Sequence, residues 1–161
     1  MTHLKALVFD VDGVLTDGGV WWGPDGAEWK RFCFADIMGV SLAIKAGLRI
    51  GLISGEDSPL VDRFAVKMGI TDVEKNCKNK ARALRSFAER RGLALSDIGF
   101  MGDDVNDLEA MEIAGLAAAP ANAVPAVRLK AAFVASKQGG NGAVRELVDA
   151  LLSKPVAGSV L

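Results

Sequence analysis

Aspartates are concentrated in two short segments of this 161-residue chain, and each segment follows an apolar run. The first segment holds Asp10 and Asp12, and the second holds Asp103, Asp104 and Asp107. Brought together, these carboxylates would repel one another and raise one another's pKa values unless a cation offset their charge. Oxygen ligands that leave room for water and phosphate favour Mg²⁺. The two segments therefore predict a magnesium site.

Three further residues suit a phosphate group at such a site. Ser54 and Gly55 follow another apolar run and offer a hydroxyl beside loop N–H groups. Lys80, at the start of a predicted helix, supplies a fixed positive charge. Carboxylates, Mg²⁺, a lysine and a hydroxyl serve phosphoryl transfer, which depends mainly on positioning and charge neutralisation. One carboxylate could itself attack phosphorus and form an aspartyl phosphate.

Several of these residues also have a plain structural explanation. Ser54 could cap a turn, and Asp104 could cap a helix without any catalytic role. Lys80 could be a solvated charge, since Lys75 and Lys78 lie close to it in the chain.

The elements that must position these residues alternate along the chain. Apolar runs too short for helices predict five strands, at residues 4–11, 48–53, 98–101, 115–118 and 132–135. Amphipathic stretches predict five helices, at residues 36–46, 58–68, 80–91, 106–114 and 143–152. This order predicts an α/β fold, a Rossmann-like parallel sheet with helices on both faces. Ligands of such sheets bind at the carboxyl ends of the strands.

Residues 16–32 interrupt the alternation. A Gly/Pro turn at 23–26 separates Trp21 and Trp22 from Trp29, which predicts a β-hairpin flap. The tryptophans could pack within the hairpin or mark a contact with another subunit.

Composition narrows the class of protein. Nineteen Lys and Arg against twenty Asp and Glu give a net charge of −1, which argues against a nucleic-acid partner. No apolar run reaches the roughly 18 residues of a membrane span. Cys33 and Cys77 form neither a metal-binding spacing nor a disulfide framework. We expect one cytoplasmic domain over residues 1–161 with a flexible tail at 153–161, no membrane partner and no room for a second domain.

Four motifs, in chain order, resemble those of the haloacid dehalogenase (HAD) phosphatases: Asp10-x-Asp12-Gly13-Val14-x-Thr16, Ser54, Lys80 and Gly102-Asp103-Asp104-x-Asn106-Asp107. The resemblance implies a HAD-like fold with Asp10 as the nucleophile. It implies that Asp12 protonates the leaving alcohol and then activates water. It also assigns Ser54, Gly55 and Lys80 to the phosphoryl oxygens.

The same resemblance implies how Mg²⁺ is bound. Its ligands would be the Asp10 carboxylate, the Asp12 main-chain carbonyl and Asp103. Three neighbouring residues would support them: Asp104, Asn106 and Asp107.

One branch of these phosphatases is similar to the chain almost from end to end. Beyond the motifs, the similarity covers the tryptophan hairpin and residues 12–18, 53–55, 69–70 and 139–146. This branch is the capless, tetrameric family of 3-deoxy-D-manno-octulosonate 8-phosphate phosphatases, with relatives that act on nonulosonate 9-phosphates. The resemblance implies a sugar-acid phosphate substrate and a homotetramer in which a neighbouring subunit covers the site in place of a cap.

Two departures from the octulosonate enzymes bear on the substrate. Glu56 stands where those enzymes usually have arginine, and Lys67 follows it eleven residues on, as in the nonulosonate phosphatases. Ile37 stands where they usually have glycine. These departures favour a nonulosonate 9-phosphate such as 2-keto-3-deoxynononate 9-phosphate, with Glu56, Arg63 and Lys67 determining specificity. Octulosonate 8-phosphate is the alternative.

Two other classes share parts of the pattern. A receiver-type signalling domain also uses an aspartate with Mg²⁺, but Asp12 as acid and base would hydrolyse the intermediate. A non-catalytic assembly module of a sugar-acid pathway would keep the fold without turnover.

Arg145 either pairs locally with Glu146 or contacts the sugar-acid carboxylate.

Overall fold

A six-stranded sheet organises residues 4–153, the part of the chain that the computed structural model describes. In chain order the elements are β1 (Ala6–Phe9), β2 (Trp21–Trp22), β3 (Glu28–Trp29), α1 (Phe34–Lys45), β4 (Arg49–Ile53), α2 (Pro59–Met68), β5 (Asp72–Glu74), α3 (Lys80–Arg91), β6 (Ile98–Met101), α4 (Leu108–Ile113), β7 (Leu116–Ala119), α5 (Pro125–Lys130), β8 (Phe133–Val134) and α6 (Ala143–Leu152). The strand order is β5-β4-β1-β6-β7-β8, and every pairing is parallel. The predicted Rossmann-like sheet is confirmed.

Residues of the central strand β1 alternate between two hydrophobic clusters, one on each face of the sheet. Leu7 and Phe9 belong to the cluster that α1, α2 and α6 complete. Ala6 and Val8 belong to the cluster that α3, α4 and α5 complete. All four residues are buried, so β1 is packed on both faces. The backbone of Asp10, the residue after Phe9, is therefore held in a fixed position.

The hairpin lies outside this sheet. Its strands β2 and β3 pair antiparallel, with Trp21 opposite Trp29 and Trp22 opposite Glu28. All three tryptophans are exposed. The predicted flap is therefore present, with its aromatic side chains on the surface of the chain.

Several elements differ from the expected series. The edge strand β5 has polar residues at two of its three positions, so no apolar run indicates it. The short helix α5 begins at Pro125, and its fixed φ suits the first helical turn. The expected helix at 106–114 is a 3₁₀ turn, Val105–Asp107, followed by α4. The expected tail at 153–161 lies, apart from Ser153, outside the described residues.

Within residues 4–153, no helix has the length and apolar character needed to cross a membrane.

Helices α1 and α6 approach closely where α1 has a glycine. A Cβ added at Gly39 would lie 2.8 Å from the Cα of Arg145. Next to this contact, the buried carboxylate of Asp36 accepts hydrogen bonds from the N–H groups of Gly142 and Arg145, at 3.2 and 3.0 Å. These N–H groups are among those that a helix start leaves unpaired. Asp36 therefore joins the two helices by capping α6.

We predict that Gly39→Ala destabilises the protein by about 1–3 kcal/mol, because the added methyl group meets backbone atoms. This loss should exceed the gain of roughly 1 kcal/mol that alanine brings to a helix interior. Met38→Ala, at the neighbouring exposed position of α1, is the control and should change stability by no more than about 0.5 kcal/mol. Urea unfolding measures both values. An unchanged midpoint for Gly39→Ala would show that the two helices separate easily.

Candidate active site

Three parallel strands bring the predicted residues to one edge of the sheet. Asp10 directly follows β1, Ser54 directly follows β4, and Asp103 follows β6 after one glycine. An open cavity of about 250 Å³ lies at this edge. Nine described residues line it: Asp10, Asp12, Gly18, Gly55, Glu56, Lys80, Asp103, Asp104 and Asn106. Eight of these nine are residues singled out from the sequence, and Gly18 is the other.

Lys80 is a buried, positively charged residue that lines this cavity. Its side chain is 2% exposed, and its Nζ lies 3.0 Å from Oδ1 of Asp10 and 2.7 Å from Oδ1 of Asp107. Lys78 is exposed, and Lys75 pairs with other carboxylates. Burial acts to lower the pKa of Lys80, but the two carboxylates more than offset it and raise that pKa above its ordinary value. Lys80 therefore stays charged.

Asp107 holds the loop that presents Asp103. Its side chain is fully buried, and its Oδ2 accepts hydrogen bonds from the N–H groups of Asp103 and Asp104, at 2.9 and 3.2 Å. Its Oδ1 accepts the hydrogen bond from Lys80. Asp104 caps the following turn, because its Oδ1 accepts the N–H of Val105 at 2.7 Å. The structural explanation of Asp104 thus applies, although Asp104 also lines the cavity.

Three of these carboxylates fit a divalent cation. Among residues 4–153, one oxygen each of Asp10, Asp103 and Asp107 lie within 4.8 Å of one another. Burial, and then the charge of Asp107, raises the pKa of Asp103 to about 6. Burial, and then the charges of Asp107 and Asp103, raises the pKa of Asp10 well above its ordinary value, although Lys80 acts in the opposite direction. Lys80 alone does not compensate the cluster, and an all-oxygen set suits the predicted Mg²⁺.

The Asp12 side chain lies apart from this cluster. Its Oδ1 is 2.8 Å from Nζ of Lys30, a residue that the motifs do not include. The side chain of Lys30 is only 4% exposed. No sequence pattern indicates it, since the apolar Trp29 beside it is exposed while the charged side chain of Lys30 is buried.

The loop after β1 depends on a second unpredicted residue, Asn122. Gly13 has a φ of +83°, and a Cβ there would collide with the carboxylate of Asp103. Nδ2 of Asn122 donates to the carbonyl of Gly13 at 3.0 Å, and its Oδ1 accepts the N–H of Gly139 at 2.6 Å. No sequence pattern indicates Asn122, because these partners lie 109 and 17 residues away along the chain.

The candidate specificity residues lie in two places. Glu56 lines the cavity described above, and its N–H donates to Oγ of the buried Ser54 at 3.2 Å. Arg63 and Lys67 project from α2 and, with Lys30, line a second and more apolar cavity of about 230 Å³. Within one chain, therefore, Glu56 and Lys67 do not share a cavity.

Arg145 engages a neighbour on its own helix. Its Nε lies 2.9 Å from both carboxylate oxygens of Asp149, one helical turn away. Glu146 instead accepts hydrogen bonds from the N–H groups of Ser136 and Lys137, both at 3.0 Å. The expected local pairing of Arg145 is present, with Asp149 in place of Glu146.

Comparison with known proteins agrees with this geometry. Residues 54–147, more than half of the chain, match the family described as haloacid dehalogenase-like hydrolase. The chain belongs to the haloacid dehalogenase-like hydrolases. The predicted family is therefore confirmed, and so is the prediction of an enzyme that hydrolyses its substrate.

Relatives of this HAD-like hydrolase include sugar-acid phosphatases. It is 35% identical over 150 residues to the 3-deoxy-D-manno-octulosonate 8-phosphate phosphatase of Escherichia coli (strain K12), an alignment that covers 93% of this chain and 80% of that protein. The phosphatase of the same name from Moraxella catarrhalis, crystallised with magnesium ion, phosphate ion and KDO, superposes with a TM-score of 0.92 at 34% identity, covering 94% and 87% of the two chains. The cobalt-bound phosphatase of Haemophilus influenzae superposes with a TM-score of 0.90 at 32% identity, covering 93% and 88%.

These relatives bear on two predictions made for this HAD-like hydrolase. They agree with a capless fold. In this protein residues 4–153 form one six-stranded sheet and a hairpin, and this chain covers 87% and 88% of the two solved structures. Their names favour octulosonate 8-phosphate over the nonulosonate 9-phosphate that Glu56 and Lys67 suggested.

We predict that Mg²⁺ stabilises the protein strongly at about pH 7.5 and weakly at about pH 5. The folded chain binds protons at Asp10 and Asp103 more tightly than the unfolded chain, so these groups stabilise the metal-free fold at low pH. The contribution of Asp103 is lost as the pH rises through about 6, and that of Asp10 as the pH rises through its own raised pKa, and Mg²⁺ can then replace the protons. At about 100 times its Kd, the ion should add about 2.7 kcal/mol, equivalent to a rise in Tm of several degrees.

Thermal unfolding with and without Mg²⁺ at both pH values measures this effect. Asp103→Asn should lose most of the stabilisation, whereas Asp62→Asn, an exposed aspartate that pairs with Lys75, should keep it. An equal shift at both pH values would count against a metal bound by these carboxylates.

Proposed function

We propose that this protein is a Mg²⁺-dependent phosphomonoesterase that hydrolyses a 3-deoxy-2-ulosonic acid phosphate through an aspartyl phosphate. The observation that carries the proposal is the position of Asp10. Its buried carboxylate lies at the end of the central strand, beside Lys80 and within the cluster of three carboxylates. A phosphoryl group in the cavity would thus meet a fixed nucleophile and a fixed cation.

Two donors orient the Asp10 carboxylate for attack. Its Oδ1 accepts the N–H of Val11 at 2.7 Å and is 3.0 Å from Nζ of Lys80. Mg²⁺ bound by Asp10, Asp103 and the Asp12 carbonyl would neutralise charge on the phosphoryl group. In the first step, an oxygen of Asp10 forms a bond to phosphorus and the bond between phosphorus and the leaving alcohol breaks.

Three residues are assigned to the phosphoryl oxygens, namely Ser54, Gly55 and Lys80. Oγ of Ser54 accepts the N–H of Glu56, and a hydroxyl that accepts one hydrogen bond can still donate its own proton. The N–H groups of the loop after β4 lie beside it, and Lys80 supplies the charge. These donors would hold the transferring group in line with Asp10.

We assign proton transfer to Asp12. It lines the same cavity, and its side chain, 28% exposed, is accessible to substrate and water. Asp12 takes up a proton from solvent before the first step, and in that step this proton moves to the leaving oxygen. In the second step water attacks phosphorus, the bond to Asp10 breaks, and Asp12 takes the proton of the water.

The proposed substrate is 3-deoxy-D-manno-octulosonate 8-phosphate, in agreement with the names of the relatives. A nonulosonate 9-phosphate is the second candidate, and one observation favours it. Glu56 lies at the cavity, where a longer sugar tail would meet a carboxylate. Arg63 and Lys67 line a different cavity from Glu56 within one chain. If all three residues determine specificity, Arg63 and Lys67 must therefore face the site of another subunit in an oligomer.

We also propose that the protein is a homotetramer. Four large apolar side chains on the hairpin and neighbouring helices are strongly exposed: Trp21 by 74%, Trp22 by 75%, Phe34 by 80% and Val66 by 82%. Exposed aromatic residues are enriched at subunit interfaces. We propose that the second chain also covers the open cavity, which Gly18, just before the hairpin, helps to line.

We predict that Asp10→Asn lowers kcat for phosphate release by at least about 1,000-fold, because the amide is a poor nucleophile. The fold should persist, since Lys80 retains its pair with Asp107. The control is Asp62→Asn, which removes an exposed carboxylate outside the cavity and should stay within about twofold of the wild type. The assay is Mg²⁺-dependent hydrolysis of octulosonate 8-phosphate. Near-normal turnover of Asp10→Asn would show that another group attacks phosphorus.

We predict a kcat/KM for octulosonate 8-phosphate about tenfold or more above that for nonulosonate 9-phosphate, the scale on which a pocket distinguishes substrates of slightly different length. Glu56→Arg should raise this ratio if Glu56 meets the sugar tail. Glu89→Arg makes the same charge change on the exposed side of α3 and should leave the ratio unchanged. A preference for the nine-carbon substrate would overturn the substrate assignment and leave the hydrolase assignment in place.

A further inference from the structure

A buried lysine of the hairpin segment faces the proposed acid and base. Nζ of Lys30 lies 2.8 Å from Oδ1 of Asp12 and 3.6 Å from Oε1 of Glu28. Its side chain is 4% exposed, although most lysines remain in solvent. Because burying an ammonium group is costly unless it is paired, this ion pair fixes where the end of the Lys30 side chain lies.

Glu28 is itself held in place from two directions. Its Oε1 accepts the hydroxyl hydrogen of Ser58, and its Oε2 accepts the indole N–H of Trp22, both at 3.0 Å. These two hydrogen bonds, assisted by the charge of Lys30, lower the pKa of Glu28 below its ordinary value. Glu28 is therefore a charged anchor for Lys30.

The anchor reaches the main fold through Ser58. This residue is the N-cap of α2, and its Oγ also accepts the N–H of Leu60 at 3.3 Å. A continuous series of polar contacts thus runs from the start of α2 through Glu28 and Lys30 to Asp12. It connects the hairpin to the loop after β1 without passing through the carboxylate cluster.

We propose that Lys30 is a positioning residue that holds the Asp12 carboxylate on the hairpin side of the cavity, where the leaving group departs. Attack by Asp10 expels the alcohol on the opposite side of phosphorus, so the acid must lie away from the nucleophile. The contact with Lys30 directs Asp12 away from the cluster of Asp10, Asp103 and Asp107. Lys30 itself neither gives nor takes a proton and does not touch the phosphoryl group.

This inference rests on the proposed function, and it makes the effect of Lys30 depend on the leaving group. A sugar alkoxide is strongly basic and needs a proton as it leaves, whereas p-nitrophenolate leaves without one. The parameter kcat/KM includes only the steps through departure of the alcohol, because hydrolysis of the phosphoenzyme comes later. A misplaced acid therefore lowers kcat/KM for an alkyl phosphate and spares the aryl phosphate.

We expect Lys30→Met to lower kcat/KM for octulosonate 8-phosphate by about 10- to 100-fold, and that for p-nitrophenyl phosphate by less than about threefold. Lys5→Met is the matched control, since Lys5 also pairs with a carboxylate, Asp97 at 2.8 Å, at the opposite end of β1. It should leave both values within about twofold. The variant should fold, because the partners that it leaves, Asp12 and Glu28, are 28% and 31% exposed.

Lys30→Gln keeps a hydrogen-bond donor for Asp12 and serves as the second variant if Lys30→Met does not fold. It should lower kcat/KM for octulosonate 8-phosphate less than Lys30→Met does, and again spare p-nitrophenyl phosphate. Equal losses on the two substrates, or no loss on either, would overturn the inference. A wild-type protein that hydrolyses neither substrate would overturn the proposed function instead. The two failures are thus distinguishable.

Discussion

Repulsion among carboxylates at one edge of the sheet is the constraint on which the rest of the structure depends. Asp10 comes from one segment of the chain and Asp103 and Asp107 from another, and one oxygen of each lies within 4.8 Å of the other two. A single buried cation, Lys80, bridges two of them and leaves the site short of positive charge. This imbalance persists because β1 is packed on both faces. Asp10, which directly follows β1, therefore cannot move away from Asp103 and Asp107. The raised pKa values of Asp10 and Asp103 show that these carboxylates are costly to hold charged together, a cost that a bound cation would offset.

Most of the fold and of the carboxylate cluster could be predicted from the sequence, because both are expressed in local patterns. Short apolar runs indicate the inner strands, and an aspartate directly after such a run must lie at the strand's carboxyl end. The edge strand β5 could not be predicted in this way, because only one of its three side chains is apolar. Lys80 was distinguishable from Lys75 and Lys78 by resemblance to a motif, whereas its burial is a property of the tertiary structure.

The contacts that escaped prediction join residues distant in the chain. Lys30, just after β3, reaches Asp12, and Asn122, in the loop after β7, reaches Gly13. Neither residue type is unusual in its segment, so only the folded geometry gives it a role. The substrate shows the same limit. Glu56 and Lys67 can both be identified in the sequence, but in one chain they line different cavities. Whether they contact the same substrate depends on how subunits are arranged.

The bridge made by Asn122 has a consequence for the chain as it is synthesised. The loop that carries Gly13 is completed by a side chain near residue 120, which is in turn held by the N–H of Gly139. Because Asn122 lies 109 residues after Gly13 in the chain, the loop that holds Asp10 and Asp12 acquires this support only after that intervening length has been synthesised. A shorter nascent chain thus carries the aspartates without the side chain that holds their loop.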